Sequence, residues 1–154
     1  MLFRSRRATV ASAGHPPILL RRADGSVEPI ELYAPPLGVR LPVDIPQRTL
    51  DISNGDTFVL HSDGIYETRS AAGEDYGLDR LAEVVRTQGG GTAEELRNAI
   101  LRDVASFRGN AEAEDDVTVV VVKLIPPEFI PPEFIPRVDA GSLVTPRGSE
   151  PTEQ

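Results

Sequence analysis

The sequence predicts an α+β sandwich. Short strand-like runs joined by turn signals come first, two amphipathic helical segments follow together, and one β-branched run comes last. Strands that arrive in hairpin runs, with the helices grouped, favour this class over a parallel α/β fold, in which the two alternate.

Each element can be justified in order. Ala8 to Ser12 and Ile18 to Arg22 are short strand candidates, separated by the turn-rich Gly14-His15-Pro16-Pro17. Asp24-Gly25 supplies a hairpin turn into Val27–Leu32, since these residue types accept the left-handed backbone that tight hairpins demand. Pro35-Pro36-Leu37-Gly38 then breaks the pattern into a loop, and Asn54-Gly55-Asp56 joins Thr49–Ser53 to the strand Thr57–Ser62. In Tyr76–Gln88 the apolar Leu78, Leu81, Val84 and Val85 share one helical face, and Gly89-Gly90-Gly91 ends the helix. Thr92 caps a second helix, with Glu95 three residues on to complete a capping box. Its buried stripe is Leu96, Ile100, Val104 and Phe107, and Gly109 stops it. The run VTVVVVKL, 117–124, reads as a central strand covered on both faces.

At 154 residues the chain has room for one ordinary domain and some extra. A net charge of −8 argues against nucleic acid as a partner, because phosphate binding needs a basic surface, and Arg4, Arg6 and Arg7 make only a short patch. There is no cysteine, which excludes disulfides, thiolate nucleophiles and Cys-ligated zinc. Only His15 and His61 are present, so a metal held here needs oxygen ligands, the preference of magnesium, manganese and calcium. No apolar run approaches the roughly 18 residues of a membrane span, and MLFRSRR lacks the apolar core of a signal peptide. The expected location is the cytoplasm.

Two acidic positions stand out. Asp63 directly follows the strand 57–62, and Glu114-Asp115-Asp116 directly precedes the strand 117–124. If these strands are antiparallel neighbours, Asp63 and Asp115 meet at one rim. Two carboxylates brought together repel unless a cation lies between them, and Gly64 allows close approach beside Asp63. Taken separately, a strand-end Asp-Gly is far more often a turn than a ligand, and an acidic pair before a strand is usually a solvated loop or a helix-capping group. The residues alone reach a candidate oxygen-ligand metal site and stop there.

The ordered motifs AGHPP (13–17), PPLG (35–38), NGDTFVLHSDGIYE (54–67), GEDYGLDRL (73–81) and DDVTVVVVKL (115–124) resemble the PPM-type phosphatases, in particular the bacterial SpoIIE/RsbU branch. The resemblance covers roughly residues 8 to 124. It implies an α-β-β-α sandwich of two antiparallel sheets flanked by helices, here its C-terminal part. It also implies a metal-dependent phosphatase acting on phosphoserine or phosphothreonine, with two Mn²⁺ or Mg²⁺ ions activating water. On that pattern Asp63 and Asp115 are metal ligands, and Gly64 and Asp116 support them. In this branch the substrate is typically a phosphorylated anti-sigma-factor antagonist. His15 reads as a turn residue and His61 as structural; Arg40 and Arg48 are surface arginines that a substrate phosphate could meet.

The family's Gly-Asp-x-x-Asp and Asp-x-x-Gly-His-Gly segments do not occur in this sequence. Two carboxylates are too few for two hard cations that each take about six oxygen ligands. The expectation is therefore the C-terminal half of a phosphatase domain over 1–124, inactive alone and completed by a missing N-terminal half or a dimer partner. The alternative is a non-catalytic phosphatase remnant serving as an interaction module. From Ile125 to Gln154 the chain carries seven of its fourteen prolines, including the tandem IPPEF-IPPEF-IP. Pro-Pro pairs forbid helix and sheet, so this tail is expected to be extended or disordered, with Phe129 and Phe134 available as docking anchors.

Overall fold

Among the described residues six strands and three helices form; the strands and the two longer helices come in the order the sequence suggests, and the short helix after the fifth strand is additional. They are β1 (Arg7–Ala11), β2 (Ile18–Arg21), β3 (Val27–Ile30), β4 (Gln47–Asp51), β5 (Thr57–His61), α1 (Asp63–Tyr66), α2 (Leu78–Gln88), α3 (Ala93–Arg108) and β6 (Val119–Lys123). The computed structural model describes residues 6–39, 44–112 and 115–126. The tail beyond Pro126, with Phe129 and Phe134, lies outside the described residues.

The strands make two antiparallel sheets. One pairs β1 with β4, and the other has the order β3-β2-β5-β6. Period-two alternation divides the side chains of the larger sheet between two cores. Leu19 and Val59, paired across β2 and β5, face the helices and pack with Ile65, Leu81, Val85, Leu96, Ile100 and Val104. Their neighbours Ile18, Leu20 and Phe58 face the other way and pack with Ile30, Leu50 and Ile52 under the smaller sheet. The described layers are thus helices, four-stranded sheet, two-stranded sheet. This agrees with the expected sandwich; no helix among the described residues covers the smaller sheet.

Local chemistry explains the joints. In the β2–β3 hairpin Gly25 takes φ 92°, and Asp24 Oδ1 accepts from the Ser26 N–H and hydroxyl. The capping box at Thr92 is complete: Glu95 N–H donates to Thr92 Oγ1 at 3.1 Å, and Thr92 N–H donates to Glu95 Oε2 at 2.7 Å. Asp56 is buried and accepts from the N–H of Ala23 (2.9 Å) and Ser53 (3.0 Å) and from Arg22 (3.2 Å), closing the β4–β5 turn against the β2–β3 hairpin. Tyr76 ties α2 to α3: its hydroxyl donates to Asp103 at 2.7 Å, and Arg80 forks onto the same carboxylate.

One expectation is corrected. Among the described residues the VTVVVVKL strand is neither central nor covered on both faces. It is an edge strand, and while Val119 and Val121 pack toward α3 and the helical core, Val120 and Val122 are 49% and 46% exposed. Among the described residues the smaller sheet is two strands wide.

Candidate metal centre

Strands β5 and β6 are antiparallel neighbours in a register that runs from Thr57↔Lys123 to His61↔Val119. That register sends the residues after β5 and before β6 to the same rim. Ser62 then locks the rim. Its N–H donates to the Thr118 carbonyl (3.0 Å), its Oγ donates to the Asp116 carbonyl (2.9 Å), and the same Oγ accepts from Thr118 N–H (3.0 Å).

Gly64 sits in the gap this lock leaves. A Cβ built on it would lie 2.5 Å from the Asp116 carbonyl oxygen and 3.5 Å from Asp115 Cβ, so only glycine fits at this approach. Gly64 therefore lies against the Asp115-Asp116 backbone, so the segments after β5 and before β6 end at one rim. Asp63 and Asp115 are both exposed. Asp63 Oδ1 accepts from the Gly64 N–H at 3.1 Å, and Asp115 Oδ1 from the Asp116 N–H at 2.7 Å. Each is oriented through one oxygen, and the other oxygen has no hydrogen bond among the described residues. Asp116 takes part through its backbone, as acceptor for Ser62 and donor to Asp115.

The surroundings differ on the two flanks. On one, an open groove of about 520 Å³ is lined by His15, Leu60, His61, Ser62, Asp63 and Val120 among others. His61 is buried, donates through Nδ1–H to the Ser62 carbonyl at 3.1 Å, and meets Tyr66 edge to face. Burial pushes its imidazole down, against the opposing pull of the Ser62 and Pro17 carbonyls. On the other flank, a small hollow of about 40 Å³ brings Arg69 and Arg108 to Gly64 and Asp115. His15 behaves as a turn histidine, with Nδ1 on the Pro16 carbonyl at 2.7 Å. Arg48 pairs with Glu28 at 3.3 Å, and Arg40 lies outside the described residues.

Ser62, Arg69 and Arg108 were not singled out from sequence. Ser62 carried a faint signal, being a hydroxyl at a strand end beside the acid; the arginines reach the site through α3 and the loop after α1, which only the fold reveals. As a cation site the rim is right in donor chemistry and short in donor number. Asp63 and Asp115 offer the carboxylate oxygens that Mn²⁺ or Mg²⁺ takes, but no group of three His, Cys, Asp or Glu side chains among the described residues could hold a metal.

Comparisons with known proteins bear on what this rim belongs to. The Stage II sporulation protein E (SpoIIE) family profile matches residues 3–125. The fold is similar to the SiaA-PP2C domain of Pseudomonas aeruginosa, at TM-score 0.70 and 22% identity, over 79% of this chain and 48% of that one. It is also similar to a Mycobacterium tuberculosis structure of RsbU and RsbW domains, at TM-score 0.62 and 25% identity, over 80% and 34%. A Bacillus subtilis structure of the SpoIIE PP2C phosphatase domain with a fragment of its regulatory domain matches at TM-score 0.64 and 21% identity, over 77% and 34%. Further matches are a SpoIIE phosphatase domain presoaked with Mn and RsbX in complex with magnesium. No curated protein matches. The chain spans between a third and a half of the three solved chains compared in detail. With four-fifths of its length inside the profile and its two sheets laid out as in these domains, the chain belongs to the SpoIIE family of PP2C-type phosphatases.

Proposed function

We propose that this chain supplies the C-terminal part of a metal-dependent protein serine/threonine phosphatase of the SpoIIE/RsbU type. Asp63 and Asp115 each give one carboxylate to a centre for Mn²⁺ or Mg²⁺, and the remaining oxygen ligands come from outside the chain. The observation that carries this reading is the contact of Gly64 with Asp115 and Asp116, which brings two separately encoded acids to one rim. When bound, such ions lower the pKa of a water and screen the charge developing on phosphorus. The chain's own part is positional. Ser62 fixes the rim, Gly64 sets the separation, and the Gly64 and Asp116 N–H groups each aim one carboxylate. Because two carboxylates do not make a two-metal site, no catalytic step follows from these residues alone.

The substrate in this reading is a phosphoserine- or phosphothreonine-bearing protein, an anti-sigma-factor antagonist on the family pattern, met in the cytoplasm. The test is Mn²⁺ binding and Mn²⁺-dependent hydrolysis of p-nitrophenyl phosphate by the isolated chain. Weak Mn²⁺ binding that Asp63→Ala abolishes, without turnover, is the expected result. Turnover that Asp63→Ala removes would show that no outside ligands are needed. Absence of Mn²⁺ binding at millimolar concentration would remove Asp63 and Asp115 from the metal.

A further inference from the structure

Helix α1 carries Asp63 at its first position and Gly64 at its second, in a single turn of four residues. A helix this short does not hold itself, because nucleation is unfavourable and few bonds repay it. Ile65 anchors it in the helical core, and the Glu67 N–H donates to the Asp63 carbonyl at 2.9 Å. The next bond of a regular helix would run from the Thr68 N–H to the Gly64 carbonyl. That N–H turns instead to the Ile65 carbonyl, at 3.3 Å. The carbonyl of the buried Gly64 accepts from the Thr68 hydroxyl in its place, at 2.6 Å.

Thr68 is itself fixed from the helical layer. Its carbonyl accepts from the Tyr76 N–H at 2.8 Å, and Tyr76 is buried with its hydroxyl on Asp103 of α3. Beside it the Gly77 N–H donates to the Tyr66 carbonyl at 2.9 Å. Hydrogen bonds thus lead from α3 through Tyr76 and Thr68 to Gly64, whose own approach to the Asp116 carbonyl leaves no room for a Cβ. Thr68, Gly64, Asp115 and Val117 line one hollow, and Val117 packs on the helical core. The whole path therefore lies on the helical side of the larger sheet, away from the exposed valines of β6.

We propose that Thr68 is a positioning residue for the metal centre. Its hydroxyl stands in for a helix bond that the backbone does not make, and so sets where α1 holds Asp63 and Gly64 against the Asp115-Asp116 backbone. It touches neither metal nor phosphate and acts through Gly64. This role rests on the metal-binding reading of Asp63 given above. The side chain it needs is specific: valine keeps the branched shape without the donor, whereas serine keeps the donor without the methyl group.

The test compares the 154-residue chain as wild type, Thr68→Val and Thr68→Ser. Amide hydrogen exchange reads α1, and the EPR signal of free Mn²⁺ reads the centre. Thr68→Val is expected to speed exchange of the Glu67 N–H about fivefold, for one lost hydrogen bond. It is also expected to weaken Mn²⁺ binding about tenfold, while α3 amides around Ile100 exchange as in wild type. Thr68→Ser is expected to restore both. Unchanged Mn²⁺ affinity in Thr68→Val, where wild type binds, overturns the proposal and leaves the metal reading standing. Weaker binding without faster α1 exchange also overturns it, as does a loss that serine fails to recover. Equal acceleration of the α3 amides marks a general loss of stability and overturns it too. A wild-type chain that binds no Mn²⁺ removes the metal reading, and this role with it.

Discussion

Gly64→Ala puts the geometry of the rim to a quantitative test. Two effects oppose each other. Gly64 lies in the short helix α1, where alanine is favoured over glycine by about 0.5–1 kcal/mol. Against this, the new Cβ would stand 2.5 Å from the Asp116 carbonyl oxygen and 3.1 Å from its carbon. Ordinary contact begins at 3.4 Å, so the Asp115-Asp116 backbone must move back by about 0.9 Å (3.4 − 2.5) or α1 must shift by as much. Backbone is the obstacle, and Ser62 ties that same carbonyl at 2.9 Å. Overpacking of this kind costs about 1–3 kcal/mol, and the clash therefore wins. The expected net destabilisation is about 1–2 kcal/mol in urea unfolding. Mn²⁺ affinity, read by the EPR signal of free Mn²⁺, is expected to fall about tenfold, because a ligand carboxylate is displaced by nearly an ångström. An alanine variant as stable as wild type with unchanged Mn²⁺ binding would refute the contact, and with it the placement of the Asp115-Asp116 backbone beside Gly64.

Two further outcomes follow from polar contacts away from the rim. Asp56→Ala leaves the N–H groups of Ala23 and Ser53 without their acceptor and Arg22 without a buried partner, so urea unfolding should show a loss of about 2–4 kcal/mol; a loss under 1 kcal/mol would contradict the turn closure. Asp103 is held below its ordinary 3.8 by the Arg80 hydrogen bonds, with burial opposing and Tyr76 adding to the lowering. A depressed carboxylate contributes stability that is present above its unfolded pKa and lost as pH falls through its folded pKa. The thermal midpoint should therefore drop as pH falls below 3.8, and Asp103→Asn should flatten that acid limb. Superimposable acid limbs would sink the assignment.

The fold was legible where local chemistry and period agree. Asp24-Gly25 and the Thr92–Glu95 box mark their joints by residue type alone, and the helices showed their stripes because a core lies on one side only. The shared rim of β5 and β6 was legible for a related reason: antiparallel neighbours end together, and both acids abut strong strand signals. The open face of β6 was not. A run of valines has the same pattern whether its second face meets another layer or solvent, and the width of the smaller sheet is a tertiary fact. The roles of Ser62 and Arg108 were hidden likewise, since each depends on what the other strand or helix brings alongside.

The β5–β6 register is what the candidate centre depends on, and it is held from both ends by different residues. At the far end Gly55 N–H donates to the Leu124 carbonyl (2.7 Å) and Leu124 N–H to the Asp56 carbonyl (2.9 Å), while the Asp56 side chain fixes that turn. At the rim Ser62 makes three bonds to the residues leading into β6. A one-residue slip would turn Val119 and Val121 away from the helical core and carry Asp115 away from Asp63 together. Stability and site geometry are therefore coupled through the register but carried by separate residues. Loss of the Asp56 side chain weakens the fold while the surviving folded molecules keep their rim. Loss of the Ser62 hydroxyl loosens the rim while the cores at Val59 and Phe58 stay packed. Each acid is exposed and oriented through a single N–H, so its position along the rim is set by the backbone beneath it.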